Sequence, residues 1–184
     1  SIRNILEIKD QNIQFENKTT EEIHNNLKSV VFYGTLTYTP SGCTNCGVIN
    51  QSHADIVKNG TKISTIKLGQ FNYKPVLLKL KKQRFFCKHC HSTFSAQTSL
   101  VDRNCFISNP LKALIVLELV EEQSMTLIAK HLNVSVSTVL RQLVQAGESL
   151  RPSEDYLPTH LGFDEFKSVK EVSGAMSFIF IDNV

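Results

Sequence analysis

The residues best suited to chemistry in this sequence are two pairs of cysteines with the same C-x-x-C spacing. The four residues are Cys43, Cys46, Cys87 and Cys90. Two intervening residues let both sulfurs of a pair reach one metal ion, and two pairs supply the four ligands of a closed tetrahedral Zn²⁺ shell. Gly47 directly follows the first pair, at a position where such a turn needs a positive φ. The pattern therefore predicts one structural zinc ion per chain and no open coordination site.

Other interpretations of the cysteines stay open at this point. About 40 residues separate the pairs, more than the usual 15–20 of a zinc ribbon, although a longer loop adds little closure entropy. A redox C-x-x-C and unligated buried thiols are the alternatives to metal binding. A histidine could also replace one cysteine ligand, the candidates being His53, His89 and His91. Cys105 stands alone, and we expect it to fill apolar space.

The charge of the chain is unevenly distributed. Lysine and arginine number 20 against 17 acidic residues, a net charge of +3, yet residues 56–101 contain no acid. In this stretch Leu78 and Leu80 alternate with lysines. This two-residue period is typical of a strand with one face exposed to solvent. A solvated lysine face is one interpretation, and a surface for a polyanion such as DNA is the other. We expect this stretch to form a β-hairpin or meander with turns at Asn59-Gly60 and near Gly69, and its predicted DNA contacts are Lys79, Lys81, Lys82 and Arg84.

Helical periodicity begins near residue 109 and predicts three helices up to about residue 150. Asn109 is the expected cap of the first, with Pro110 at its first position. The second follows Ser124, and Ser135 caps the third. The predicted buried face of the third helix consists of Val136, Val139, Leu140, Leu143 and Val144.

The second and third helices match the pattern of a DNA-binding helix-turn-helix. Ala129 is small where two helices would cross, and Asn133 tolerates the left-handed turn conformation usually given to glycine. Short polar side chains, an arginine and an amide on the third helix are suited to base edges and phosphates. The predicted DNA contacts here are Ser135, Ser137, Thr138, Arg141 and Gln142. The alternative is a three-helix bundle with a polar outer face.

Composition excludes several classes of protein. An apolar fraction of 41% excludes a mainly disordered chain. The longest apolar run, residues 113–117, is far shorter than the ~20 residues of a membrane span. The first residues show no basic leader followed by an apolar stretch. We therefore expect a cytoplasmic protein with no membrane partner and no small-molecule substrate.

Three features in this order resemble the transposases of the ISL-three family of bacterial insertion sequences. They are the C-T-N-C-G and F-F-C-K-H-C motifs, the N-V-S-V-S-T-V-L-R segment and the L-G-F-D-E-F segment after a linker. The resemblance covers roughly residues 30–184. It implies a zinc-binding part and a helix-turn-helix that bind the terminal inverted repeats of the element. It also implies a bacterial, nucleoid-associated location, with a homodimer left open.

The same resemblance implies a catalytic domain of RNase H-like fold, in which three acids hold two Mg²⁺ or Mn²⁺ ions. Asp164 corresponds to the first of these acids, on the first strand of the catalytic sheet. The chain reaches Val184 before the other two acids of the family pattern. One carboxylate cannot hold a two-metal site, so we expect no strand transfer by this polypeptide alone.

The sequence thus predicts a multi-module α+β protein: a zinc-ribbon-like β module, a three-helix helix-turn-helix and the first strands of an RNase H-like domain. The predicted parts are residues 1–42 of unknown role, 43–100, 105–150, a linker at 151–160, and 161–184. The leading function is the DNA-binding part of a transposase. The alternatives are a zinc-ribbon transcriptional regulator without catalytic activity and a module that uses the zinc ribbon and the acidic C-terminal segment for protein contacts such as dimerisation.

Overall fold

The computed structural model describes residues 2–51, 54–121, 123–149, 160–167, 174 and 176–182. Within them the chain is a mixed α+β protein with more strand than helix, so the predicted α+β class is confirmed. Its contacts divide it into two units, residues 1–146 and 147–184. No helix in the described part is long and apolar enough to cross a membrane. The predicted linker at 151–160 lies outside the described residues except for His160.

Strands dominate the first unit, and three helices follow them. In chain order the elements are α1 (Ile2–Ile5), β1 (Ile13–His24), β2 (Leu27–Leu36), β3 (Ile56–Phe71), β4 (Lys74–Cys87), β5 (Thr93–Ser95), α2 (Asn109–Val120), α3 (Met125–His131) and α4 (Val136–Ser149). The second unit contains β6 (Leu161–Lys167) and β7 (Met176–Asp182).

The strands of the first unit form one sheet in the order β1-β2-β4-β3. β4 is central, because it pairs in parallel with β2 on one side and antiparallel with β3 on the other. β5 pairs with β4 at residues 84–86, beyond the point where the β2 pairing ends at Lys82. Residues 1–42, whose role the sequence leaves open, thus contribute two strands to the same sheet as the basic hairpin.

The hairpin predicted in the basic stretch is present, but its turn lies elsewhere than predicted. The sequence places turns at Asn59-Gly60 and near Gly69, whereas both glycines lie inside β3, next to breaks in its register with β4. The chain reverses at Asn72 and Tyr73, whose φ values are 49° and 60°. Glycine with a positive φ is favoured in β-bulges as well as in turns, so a glycine in the sequence does not distinguish the two features.

Apolar side chains of the sheet and of the segments around it form the main core of the first unit. The largest of those with almost no exposed surface are Ile13, Leu36, Ile66, Leu78, Leu80 and Phe85. Tyr38 and Phe94 pack on the Phe85 ring with centroid distances of 5.7 and 5.5 Å. The core therefore extends to the end of β4 from which the second cysteine pair leaves the sheet.

Serine hydroxyls begin all three of the longer helices. Ser108 accepts a hydrogen bond from the backbone N–H of Leu111, and Ser124 does the same for Leu127. Ser135 accepts from the N–H of Thr138, as predicted. The predicted cap Asn109 is wrong by one residue: Ser108 caps α2, Asn109 is already helical, and Pro110 stands second in the helix.

A second, smaller core joins these helices, and it contains little of α4. Its buried residues are Leu111, Ile115, Ile128, Ala129, Leu132 and Val139. Of the five apolar residues predicted to form the buried face of α4, only Val139 is buried; Val136, Leu140, Leu143 and Val144 are 42–55% exposed. The prediction is wrong for those four because periodicity identifies residues that share a face, not whether another element covers it.

The second unit contains an antiparallel strand pair among its described residues. β6 pairs with β7 along their whole lengths, with Asp164 opposite Ile179. Both strands therefore occur where the sequence predicts them. Phe163 and Phe178 on them are largely exposed.

Candidate functional site

The two cysteine pairs fold into turns of the same form. In the first, the N–H of Cys43 donates to the carbonyl of Val48; in the second, the N–H of Cys87 donates to that of Ser92. The residue after each pair has a positive φ, 74° at Gly47 and 54° at His91. The prediction for Gly47 is confirmed. At His91 the same turn is made by a residue other than glycine, so sequence alone gives no signal there.

Sheet pairing brings the two turns together. Cys87 ends β4 opposite Ile56, while the first turn precedes β3 and is closed by a bridge between Gly42 and Ile49. The Sγ atoms of Cys43 and Cys90 are 3.7 Å apart. Those of Cys46 and Cys87 are 3.8 Å apart, and all four sulfurs lie within 4.8 Å of one another.

These distances suit a metal ion. A tetrahedral shell with Zn–S distances of about 2.3 Å has sulfur–sulfur edges of about 3.8 Å. The four cysteines could therefore hold a metal ion, and a thiolate set of this size is compatible with structural zinc. No open ligand position remains in such a shell, so the arrangement serves stability better than catalysis.

Groups around the cluster polarise the thiols unequally. The Ser92 hydroxyl, 2.9 Å from the Cys90 sulfur, lowers the pKa of that thiol to about 5, with help from the Ser92 backbone and the Asn45 side chain. The Val48 backbone lowers the pKa of Cys46, but desolvation and the three neighbouring thiols outweigh it and raise that pKa to about 12. Four sulfurs this close do not all ionise without a cation between them.

The described histidines near the cluster have other contacts. His89 Nε2 lies 2.8 Å from Asp55 Oδ1. The His91 ring packs against Phe86 with a centroid distance of 6.0 Å. His53, the third candidate for a histidine ligand, lies outside the described residues. Cys105 packs beside the main core, as expected, and is not in the cluster.

The polar residues predicted to contact DNA from the third helix do not all lie on its surface. Ser135, Ser137 and Arg141 are exposed, and Gln142 is partly so. The sequence pattern predicts Thr138 on the exposed face of this helix, but Thr138 is 5% exposed, so that prediction is wrong. Its hydroxyl lies 2.9 Å from the Ser135 hydroxyl and accepts from Arg141 Nη2, contacts that hold Thr138 against the helix start.

Arg141 lies back along its own helix. Its Nε donates to the Ser137 carbonyl at 3.2 Å, and Nη2 donates to Thr138 at the same distance. A guanidinium has five N–H groups, so three stay available for an acceptor outside the helix.

The basic residues predicted to contact DNA from β4 have different surroundings. Lys79 is half-buried and paired with Glu22 at 2.7 Å, and this carboxylate raises the pKa of its ammonium. Lys82 stands opposite Lys62; burial and the charge of Lys62 lower its pKa. Lys81 is exposed and Arg84 is partly exposed. Lys79 is thus the member of this set with a protein counter-ion in the described part of the chain.

Lys67 has a positional role that sequence reasoning missed. Its backbone pairs with the segment before α2, donating to Phe106 and accepting from Ser108. Its Nζ donates to the carbonyl of Asn133 at 2.9 Å. Asn133 has a φ of 52° in the turn between α3 and α4. One β3 residue therefore connects both the segment before α2 and this turn to the sheet. No sequence pattern around Lys67 predicts these contacts.

The predicted catalytic acid, Asp164, is exposed on β6. Its Oδ1 accepts a hydrogen bond from the N–H of Glu165 at 2.9 Å. The groups of potential ligands in the described residues do not include it.

No protein-family model, curated protein or solved structure matches this chain. Its class therefore follows from its own geometry: a mixed α+β protein with a four-cysteine cluster that could hold a metal ion.

Proposed function

We propose that the four cysteines bind one zinc ion whose role is structural. The ion would join the loop before β3 to the turn after β4, since each supplies two sulfurs. Elemental analysis of the purified protein tests this directly. We expect one zinc per chain, and the absence of stoichiometric metal would refute the proposal.

We further propose that the chain is the DNA-binding part of a transposase that resembles the ISL-three family. The observation that carries this proposal is the arrangement of α3 and α4. Ala129 of α3 and Val139 of α4 are buried in one small core, and Asn133 has the left-handed conformation that the turn of a helix-turn-helix uses. The target would be the terminal inverted repeats of the element.

Within this proposal the side chains have different tasks. Ser137, Arg141 and Gln142 would read base edges or contact phosphates, because they remain accessible on α4. Lys81 and Arg84 would contact phosphates. Lys82 would add charge beside Lys62, and counter-ion release makes such contacts salt-dependent. Thr138 and Ser135 would position Arg141 rather than contact DNA themselves.

Arg141→Ala tests the role of α4. We expect it to weaken binding to element-end DNA by about 1–3 kcal/mol, as for one lost base contact, and binding to random DNA by less. Gel shifts over a salt series would measure both. Lys130→Ala, which changes an exposed lysine on α3, is the matched control. Equal losses on both DNAs would make Arg141 a phosphate contact, and no loss on either would refute its role.

For the second unit we propose that Asp164 occupies the position of the first catalytic acid of the family. Two-metal displacement of a phosphodiester needs ions about 3.5–4 Å apart, held by several carboxylates. Asp164 belongs to no group of potential metal ligands among the described residues, so we expect no cleavage of terminal-repeat DNA by this polypeptide in Mg²⁺ or Mn²⁺. Cleavage that Asp164→Asn abolishes would contradict this expectation.

A ligand-responsive transcriptional regulator is the second candidate, and one observation favours it. α4 forms a wall of a cavity of about 600 Å³ that reaches the sheet. A ligand in that cavity would contact Arg141 and Gln142, the same side chains proposed to contact DNA. Sequence-specific binding to a promoter, with no preference for element ends, would favour the regulator.

A further inference from the structure

A cavity of about 600 Å³ lies between the sheet and α4 within the first unit. Lys67 of β3 and Leu77 of β4 contribute from the sheet, Ile107 from the segment before α2, and Arg141 and Gln142 from α4. Its size falls in the range of small-ligand sites, about 300–1,000 Å³. The sheet, the segment before α2 and α4 each contribute to its wall, so it is a cleft between elements that is partly open to solvent.

The charges in its wall are unbalanced. Asp102, the acid in the lining, is paired with Lys112 at 2.5 Å. Lys67 and Arg141 have no carboxylate partner among the described residues. Burial lowers the pKa of the Lys67 ammonium, which means that a nearby anion would be favourable to it. Two cations without a counter-ion therefore face a partly desolvated space.

The rest of the wall is largely apolar and contains one unsatisfied polar atom. Phe106 lines it and is 57% exposed, and Ile107, also in the lining, packs against the small helical core. His24 also lines the cavity, and its Nδ1 is buried without a hydrogen-bond partner in the described part of the chain. An inorganic ion would leave the apolar wall uncovered, whereas an organic body would cover it.

We propose that this cavity binds a small organic anion, with its oxyanion head group between Lys67 and Arg141 and its apolar body on Phe106 and Ile107. Arg141 has three free N–H groups and Lys67 has two beyond its bond to Asn133, enough to hold an oxyanion. The anion is a ligand that is retained and not transformed. This site does not depend on the proposed DNA binding, although an occupied site would engage Arg141 and so compete with DNA.

The test uses two fluorescent probes of similar shape. 8-Anilinonaphthalene-1-sulfonate carries an anionic head group on an aromatic body, and N-phenyl-1-naphthylamine is its neutral counterpart. We expect the sulfonate to bind one saturable site on the full chain. The double variant Lys67→Gln, Arg141→Gln should weaken sulfonate binding at least tenfold and change binding of the neutral probe less than twofold.

Matched variants separate this site from other surfaces. Lys58→Gln, Lys130→Gln removes the same charge from exposed positions outside the lining and should leave the sulfonate affinity unchanged. Leu143→Gln alters the exposed face of α4 and should also have no effect. Equal weakening in the lysine control, or loss in Leu143→Gln alone, would overturn the proposal.

Lys67 also supports the turn at Asn133, so the double variant could misfold. Arg141→Gln alone leaves that hydrogen bond in place and should weaken sulfonate binding several-fold, while Arg141→Lys should restore most of it. An unchanged affinity in Arg141→Gln would overturn the proposal. Because neither probe involves DNA, a failure here leaves the proposed DNA binding standing, and a failure in gel shifts leaves this site standing.

Discussion

β4 in the sheet and α4 among the helices of the first unit both carry several apolar residues, but they bury them to different extents. β4 pairs on both sides, and its apolar residues from Val76 to Leu80 are nearly all inaccessible. α4 has five apolar residues on one predicted face and buries Val139 alone among them. A strand in the middle of a sheet acquires neighbours from backbone pairing, whereas the outer helix of a small bundle has neighbours only on one side.

This difference in burial suggests different roles for the two regions: the buried sheet stabilises the fold, and the exposed face of α4 is accessible to other molecules. The sheet has a large core, and the cysteine cluster beside it could hold a metal ion that would cross-link one end of the sheet. The helices share a small core, and Lys67 of β3 hydrogen-bonds to the segment before α2 and to the turn before α4. We therefore infer that stability is concentrated in the sheet and that recognition is concentrated on α4 and beside it.

The largest expected effect comes from the cysteine cluster. Cys87→Ser should abolish stoichiometric zinc and lower the free energy of unfolding by roughly 4 kcal/mol or more, the range for a lost structural metal. Elemental analysis and thermal unfolding followed by circular dichroism would measure both. Cys105→Ser is the control, because Cys105 is outside the cluster, and it should keep its zinc. Helices that melt with an unchanged midpoint in Cys87→Ser would show that the two regions unfold separately.

Identical leucine truncations in the two regions give the next largest effect. Leu80 in β4 is fully buried, and Leu143 in α4 is 43% exposed. Leu80→Ala should lower the free energy of unfolding by about 2–5 kcal/mol through loss of burial and a residual cavity. Leu143→Ala should cost under about 1 kcal/mol, as expected for a surface position. Urea unfolding measures both, and a cost for Leu143→Ala equal to that for Leu80→Ala would contradict the exposed state of α4 in solution.

Local signals account for the parts that sequence predicts well. The C-x-x-C spacing identified the cysteines that meet, since the sulfurs of each pair are placed by one tight turn. Ser124 and Ser135 begin their helices because a hydroxyl satisfies a free N–H at any helix start. The conformation of Asn133 follows from a side chain that tolerates positive φ.

Long-range features escaped prediction for a physical reason. Parallel pairing of Val30 with Val76 joins segments far apart in the chain. Nothing in the sequence of either segment indicates which strand it pairs with. The role of Lys67 depends on which loop and which turn pack above it. The exposure of Leu140 depends likewise on what covers α4. Periodicity shows which residues share one face of a helix or strand, but it does not show which other element packs against that face.

The smallest expected effect on stability comes from exposed ion pairs at the rim of the sheet, which we compare with the buried apolar residues of its core. Glu21 of β1 contacts Lys28 at 2.6 Å and Lys74 at 2.5 Å. The hydrogen bonds from Lys28 and Lys74 lower the pKa of Glu21 from 4.5 to about 2. A depressed folded-state pKa stabilises the fold above the unfolded value, and this contribution is lost as the pH falls from about 4.5 to about 2.

Glu21→Gln should therefore reduce the urea midpoint slightly at pH 5.5 and make less difference at pH 3. Added salt should shrink the difference at pH 5.5, because solvent and ions screen an exposed pair. Glu16→Gln, a change at a β1 carboxylate without a lysine partner in the described residues, is the control for the loss of one charge. Any acid-induced loss of metal affects all variants alike and cancels in the comparison. A penalty for Glu21→Gln that grows towards pH 3 would reverse the sign of this argument and exclude the ion pairs as its source.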